Sequence, residues 1–241
     1  MFMKDKIYSK PRKKISRFVF DQKVANVFDD MISRSVPGYS DIIQMCGVLA
    51  VQFVKPRTRV YDLGCSLGSA SRAVLKAVPN RSYELIALDP SAAMLFKAKE
   101  NLRGKYKASV LLDCGKAESA GIKNASFVML NFVLQFIPQA NRLMLLKKIH
   151  AGMNPGAALV LSEKIDFETK RERETQRKLH EEFKKAQGYS DLEISQKRTA
   201  LEKVLIPETL RAHEERLKQA GFSKIYLWFR CFNFASIIAV K

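Results

Sequence analysis

The sequence predicts an α/β protein with a Rossmann-like, mostly parallel seven-stranded sheet, and three observations predict it. Short apolar runs alternate with stretches of helical period along most of the chain. These runs are nearly continuous rather than alternating, as strands covered by helices on both faces require. A glycine-rich turn joins the first run to the first crossover helix, the position where such folds bind ligands.

The elements follow in order. From Asp21 to Phe53 the pattern is helical: Val24, Val27, Phe28 and Met31, then Ile42, Met45, Leu49 and Phe53, recur at spacings of three and four on either side of Pro37–Gly38. This stretch is expected to be a helical cover spanning 21–55. Strands are then expected at 59–63, 83–88, 109–112, 126–131 and 157–162. Between them lie helices over Ser66–Val78, over Ser91–Leu102 with Ser91 as its cap, and through Leu143, Leu146, Ile149 and Met153 to Asn154-Pro155-Gly156. A mixed-charge helix over Phe167–Lys185 and a second over Leu192–Val204 form an expected helical insertion, 167–205. A helix over Pro207–Ala220 and two strands, Phe222–Phe229 and Asn233–Val240, close the chain. Their short link predicts an antiparallel C-terminal edge pair. With no internal repeat or low-complexity linker, 21–241 reads as a single domain.

The chain of 241 residues is 47% hydrophobic and 27% charged, enough to bury a substantial core. Its formal net charge is +18, which attracts phosphate backbones and anionic metabolites alike and leaves the partner open. Part of that charge lies in a basic N-terminal arm, 1–20, where Lys4, Lys6, Lys10, Arg12, Lys13, Lys14 and Arg17 face only Asp5. The simplest expectation is a solvated arm, since no closely interleaved aromatics offer a stacking platform for bases. Cys46, Cys65, Cys114 and Cys231 are widely spaced, with no CxxC pair, which argues against a zinc site or a disulfide framework and for a cytoplasmic protein. No apolar run is long enough to span a bilayer, so no membrane association is expected.

The chemistry concentrates in Val60-Tyr-Asp-Leu-Gly-Cys-Ser-Leu-Gly. Gly64 and Gly68 allow a sharp turn and close approach of a ligand to the backbone. Asp89, ending the second strand, is placed to accept hydrogen bonds from ribose hydroxyls. Ser66 stands where a dinucleotide fingerprint has its middle glycine, leaving less room for a pyrophosphate and favouring a nucleoside without phosphates. The same residues satisfy the G-x-S-x-G elbow of hydrolases. That elbow needs strands before it and an acid and a histidine after it, whereas here the first strand carries the turn. His150, His180 and His213 are expected at the surface.

The D-L-G-x-S-x-G turn resembles the first motif of class I S-adenosyl-L-methionine-dependent methyltransferases. Further stretches narrow the resemblance: Phe28-Asp-Asp-Met-Ile-Ser-Arg-Ser-Val-Pro-Gly-Tyr-Ser, Leu130-Asn-Phe-Val-Leu-Gln-Phe, Leu159-Val-Leu-Ser-Glu-Lys, Gly188-Tyr-Ser-x-Leu-Glu-Ile-Ser-Gln-Lys-Arg and Leu227-Trp-Phe-x-Cys-Phe-Asn-Phe. Together they resemble the carboxy-S-adenosyl-L-methionine synthase family, from about Phe20 to the C-terminus. The resemblance implies a cytoplasmic homodimer with the class I methyltransferase fold. It implies conversion of S-adenosyl-L-methionine and prephenate into carboxy-S-adenosyl-L-methionine and phenylpyruvate. The product supplies the carboxymethyl group for the 5-oxyacetic acid modification of wobble uridine in tRNA, through a tRNA-modifying partner enzyme. In the mechanism it implies, prephenate loses carbon dioxide and hydroxide, the departing base deprotonates the sulfonium methyl, and the resulting carbanion captures the carbon dioxide. No side-chain acid or base is required, and the protein's task is orientation and exclusion of water.

The resemblance also implies site residues. Tyr39 contacts the ligand from the helical cover, and Gly64, Cys65 and Ser66 line its amino-acid portion. Asp89 with Pro90 holds the ribose, Lys116 and Ala117 flank the adenine, and Asn131 reaches the sulfonium end. Arg198, in the family from the partner subunit, binds the added carboxylate, a task suited to a planar guanidinium. Two departures weaken the adenine end. Lys116-Ala117 stands where the family has Asp-Ile, and Pro90, which lacks an N–H, stands where it often has Asn. Two rival readings use the same fold: an S-adenosylmethionine-dependent RNA methyltransferase, and a non-catalytic RNA-binding or scaffold protein.

Overall fold

The apolar runs become the centre of one sheet. The computed structural model describes residues 3–104 and 106–241. Its strands are β1 (Arg59–Leu63), β2 (Glu84–Asp89), β3 (Ser109–Cys114), β4 (Ala125–Asn131), β5 (Met153–Asp166), β6 (Glu208–Thr209), β7 (Lys224–Cys231) and β8 (Phe234–Val240). The sheet runs β3-β2-β1-β4-β5-β8-β7, with β6 paired to β5. Pairing is parallel from β3 to β5, and β8 lies antiparallel to both β5 and β7. The expected seven strands and antiparallel edge pair are all present. The eighth, β6, joins through Ile165↔Glu208 and Asp166↔Thr209 and is too short to carry a sequence period.

The helices are α1 (Gln22–Ser33), α2 (Tyr39–Phe53), α3 (Ser69–Ala77), α4 (Ala92–Asn101), α5 (Gln139–Gly152), α6 (Lys170–Ala186), α7 (Asp191–Leu201) and α8 (Leu210–Gln219). Two apolar cores form, one on each sheet face. Leu145, Leu146 and Ile149 of α5 and Leu217 of α8 pack on one face with Tyr61 and Leu130. Cys46 and Ala50 of α2 and Val74 and Leu75 of α3 pack on the other with Val60 and Met129.

Three boundaries differ from expectation for local reasons. The helix expected from Ser66 begins at Ser69, because Ser66 and Gly68 have left-handed backbones with φ of 49° and 78°. β5 runs to Asp166, well beyond Ser162, since Glu163 and Lys164 interrupt the apolar run while Lys164 still pairs with Phe234. α8 starts at Leu210 because Glu208 and Thr209 are drawn into β6, and the Thr209 side chain caps the helix at Ala212 N, 3.2 Å away.

The N-terminal segment is not a solvated arm. Its first two residues fall outside the described part, but from residue 3 its backbone is fastened to the domain. The Gln196 amide donates to the carbonyls of Tyr8 and Lys10, both at 2.9 Å, and Phe18 N donates to Ala200 O at 3.0 Å. Asp5, Tyr8 and Phe18 are buried, and Tyr189 donates to Asp5 Oδ2 at 2.6 Å. The seven basic side chains stay exposed. Charge alone suggested solvation because the three anchoring residues are scattered among cations.

Candidate functional site

Parallel register brings the carboxyl ends of β1, β2 and β4 side by side, and a cavity of about 430 Å³ opens above them. That is a ligand-sized volume. At its floor Gly64 N and Cys65 N both donate to Leu88 O, at 2.7 and 2.8 Å, which pins the turn to β2. Gly64 has φ of 80°, and a Cβ there would lie 2.3 Å from Val133 Cγ2. Glycine therefore lets the loop after β4 close against the turn. Asp62 secures the other side, accepting from Ser71 N at 3.1 Å and Ser71 Oγ at 2.6 Å. Its burial pushes the carboxyl up to about 6.

Asp89 organises the end of the cavity where β2 leads into α4. Oδ2 accepts from Ser66 N and Oδ1 from Ser91 N, both at 2.9 Å. The first bond holds Ser66 in its left-handed conformation, and the second turns the chain into α4. Burial raises this carboxyl above its usual range, against the pull of the two N–H groups. Each oxygen retains a further lone pair, and Asp89, Pro90 and Ser66 all line the cavity. Ser91 Oγ also donates to Phe20 O at 2.7 Å, so the N-terminal segment crosses above this end.

Asn131 closes β4 and is aimed by a relay. Its Oδ1 accepts from Ser162 Oγ at 2.7 Å, Ser162 lies 2.8 Å from Ser236 Oγ, and its Nδ2 faces Cys46 Sγ at 3.6 Å. The following loop is held by Glu163, which accepts from the backbone N–H groups of Val133, Leu134 and Gln135 at 3.2, 2.7 and 3.0 Å. Next to Asn131, Phe132 begins a row of rings. Tyr39 lies 6.2 Å from it, Phe234 6.1 Å from it, and His180 5.0 Å from Phe234.

α6 and α7 form the far wall. Arg198 lines the cavity of its own chain and pairs with Glu181 at 2.8 Å. Lys164, Arg177, Lys184 and Lys197 line the same wall. Sequence reading missed these four cations because Arg177, Lys184 and Lys197 sit on charge-rich helices and Lys164 lies on β5 beyond its apolar run. Only their lining of one cavity separates them from surface residues.

The structure therefore brings Tyr39, Gly64, Cys65, Ser66, Asp89, Pro90, Asn131 and Arg198 to one cavity. It does not bring Lys116 and Ala117 there. Lys116 is exposed, and Ala117 starts a short 3-10 turn that packs its methyl into the core beneath α5. The expectation of surface histidines also fails. His180 and His213 are buried, and burial with neighbouring cations depresses them to about 3 and about 4. Both keep an apolar face inward from charge-rich helices. His180 Nε2 lies 2.8 Å from Ser35 O, so in the neutral ring it donates there. Among the described residues no group of His, Cys, Asp or Glu is arranged to hold a metal, and no helix is long and apolar enough to cross a membrane.

Residues 60–156 match the model of a family described as a methyltransferase domain. Among solved structures, an O-methyltransferase family protein from Burkholderia thailandensis aligns with a TM-score of 0.62 at 17% identity, over 92% of this chain and 60% of that one. Human N-acetylserotonin methyltransferase, in complex with its methyl donor, aligns with a TM-score of 0.62 at 15% identity, over 91% of this chain and 55% of that one. At these identities the likeness establishes the fold alone. Sequence relatives are much nearer. A carboxy-S-adenosyl-L-methionine synthase from Geobacter metallireducens is 51% identical over 239 residues, and one from Shewanella piezotolerans is 50% identical over 238. In both cases the match covers 98% of each chain. These names are not those of an RNA methyltransferase or a scaffold, so neither rival reading is favoured. With half of its residues shared along its full length, the chain belongs to the carboxy-S-adenosyl-L-methionine synthase family.

Proposed function

We propose that the protein converts S-adenosyl-L-methionine and prephenate into carboxy-S-adenosyl-L-methionine and phenylpyruvate. The observation that carries this reading is the convergence of the glycine turn, Asp89, Asn131 and Arg198 on one cavity. The fit to the nucleoside substrate rests on the turn and on Asp89, whose oxygens keep lone pairs for ribose hydroxyls after accepting two backbone N–H bonds. Gly64 to Ser66 would line the amino-acid portion, Tyr39 and Asn131 the sulfonium, and Arg198 the carboxylate added to it.

The reaction balances without a side-chain base. One carboxyl group leaves prephenate as carbon dioxide while the ring hydroxyl departs, giving phenylpyruvate. The methyl proton and the hydroxide leave as water, and the methyl carbon forms a bond to the carbon dioxide. The protein's work is to hold two substrates in line and keep water out, and the ring row Tyr39–Phe132–Phe234 supplies an apolar floor. In the cell this reading makes the protein a cytoplasmic homodimer that passes its product to an enzyme modifying wobble uridine in tRNA.

The test is incubation with both substrates followed by mass spectrometry. A nucleoside heavier by one carboxyl group, with phenylpyruvate in equal amount, is expected. Methylated tRNA without that species would replace this reading with the RNA methyltransferase. Arg198→Ala is expected to lose retention of the carboxylated product while S-adenosylmethionine still binds. Equal affinity of variant and wild type for that product would remove Arg198 from the site.

A further inference from the structure

The far wall of the cavity has more cationic charge than the added carboxylate needs. Arg198 and Arg177 share the one carboxylate of Glu181, at 2.8 and 3.0 Å. Lys164 and Lys184 are different. Among the described residues no carboxylate oxygen lies within 4.0 Å of either ammonium group, although both are largely enclosed. Lys197 has only Asp5 at 3.8 Å, and its ammonium donates to Ser35 Oγ at 2.9 Å. The three lysines come from β5, α6 and α7, so the fold has gathered them from separate elements. Their joint neighbour His180 is neutral and contributes no negative charge.

Enclosing like charges beside one another is costly unless an anion offsets them. The cost is visible in the lysines. Burial, together with Lys164 next to it, holds Lys184 down to about 8, and burial holds Lys197 down to about 8 despite Asp5. Such a wall would destabilise the empty protein with no return, were no anion bound there.

From this arrangement we propose that Lys164, Lys184 and Lys197 form a second subsite, which binds the carboxylates of a small dicarboxylic acid whose ring lies on Phe132 and Phe234. This deepens the function proposed above and rests on it for the identity of that acid. The row of rings runs from Tyr39, at the sulfonium end, to His180, at the lysine end. A bound dianion therefore lies in line with the methyl group, with its apolar ring on apolar side chains. Arg198 is left for the product's carboxylate, and the lysines hold the co-substrate.

The experiment is calorimetric titration of the full chain, saturated with S-adenosylhomocysteine so that no chemistry occurs, using prephenate as the probe. Lys184→Met and Lys164→Met are expected to weaken prephenate binding about tenfold or more, the loss of one charge-assisted bond each. They should leave S-adenosylhomocysteine affinity within about twofold. Both variants should also melt at a higher temperature than the wild type when empty, because a like-charge contact has gone. Lys184→Arg keeps its charge at high pH. Wild-type binding should weaken above about pH 8, as Lys184 and Lys197 lose their protons in the field of Lys164, Arg198, Arg34, Glu181, Asp5 and Asp30, and the Arg variant should weaken less. Unchanged prephenate affinity in both Met variants would overturn the subsite. If the wild type still made the carboxylated nucleoside, the proposed function would survive that result. The converse outcome, lysine-dependent binding with no carboxylated nucleoside formed, would keep the subsite and remove the function. Absence of prephenate binding by the wild type would overturn the subsite directly.

Discussion

Replacing Asp89 by Asn tests the organisation of the nucleoside end most directly. The carboxylate accepts from Ser66 N and Ser91 N, both at 2.9 Å, one on each oxygen. An amide is the same size, but only one of its two ends accepts. Whichever way it is turned, its NH2 faces a backbone N–H, so one bond is lost and two donors oppose each other. The lost bond is to a charged acceptor and is worth about 1.5–3 kcal/mol. For a domain of this size that corresponds to a fall in Tm of about 3–12 °C, at roughly 2–4 °C per kcal/mol. If the same oxygens accept from ribose hydroxyls, the nucleoside loses a second charged bond, and its Kd should rise about 10- to 150-fold. Differential scanning fluorimetry gives the first number and equilibrium titration with S-adenosylmethionine the second. A variant that melts within 1 °C of the wild type (about 0.3 kcal/mol) and binds the nucleoside equally well would refute the placement of both hydrogen bonds.

Two further substitutions probe other parts of the molecule. Gly64→Ala places a methyl 2.3 Å from Val133 Cγ2 on a backbone with φ of 80°. The left-handed conformation costs about 1–2 kcal/mol and the overlap about 1–3 kcal/mol. Urea unfolding should show a clear loss of stability together with loss of nucleoside binding, and an unchanged midpoint would mean the turn is looser than described. The buried histidines predict acid lability. His180 and His213 are depressed to about 3 and about 4, so between those values and about 6.5 the unfolded chain binds protons that the folded one does not. Stability due to these groups is full above pH 6.5 and falls as pH drops, with a limiting slope of about 1.4 kcal/mol per unit for each. His180→Gln should flatten the dependence of Tm on pH between 4 and 6.5, and a slope equal to that of the wild type would show that His180 is not neutral when folded.

The division between what was legible in the sequence and what was not has a physical basis. A strand buried on both faces must be apolar throughout, so β1, β2 and β4 are visible as runs. The turn after β1 must reverse within a few residues on left-handed backbone, so Gly64 and Gly68 are visible as glycines. At β5 the pattern ends early, because Glu163 and Lys164 are polar residues in a strand. They are polar for reasons outside the strand: Glu163 gathers three N–H groups of the loop after β4, and Lys164 faces the cavity. The N-terminal segment misleads in the same way. Its seven cations are exposed, as charge suggests, but Asp5, Tyr8 and Phe18 fasten it, and each does so through a partner elsewhere in the chain.

α6 and α7 show where local reading stops. Lys184 and Lys185 are neighbours on one helix and chemically identical, and no window of sequence separates them. Lys185 is paired with Glu182 at 3.1 Å and Asp191 at 2.9 Å, an ordinary surface contact. Lys184, about 100° round the helix from it, lines the cavity beside Lys164 of β5. A charge acquires its function there by losing its partners, and partner loss is a property of the assembled fold. Arg198, which lines the same cavity, was singled out only because it sits in a motif of the family that the sequence resembles. Lys164, Lys184 and Lys197 became distinguishable only when three elements from separate parts of the chain were seen to close on one cavity, where Lys197 has Asp5 at 3.8 Å and the other two have no carboxylate within 4.0 Å among the described residues.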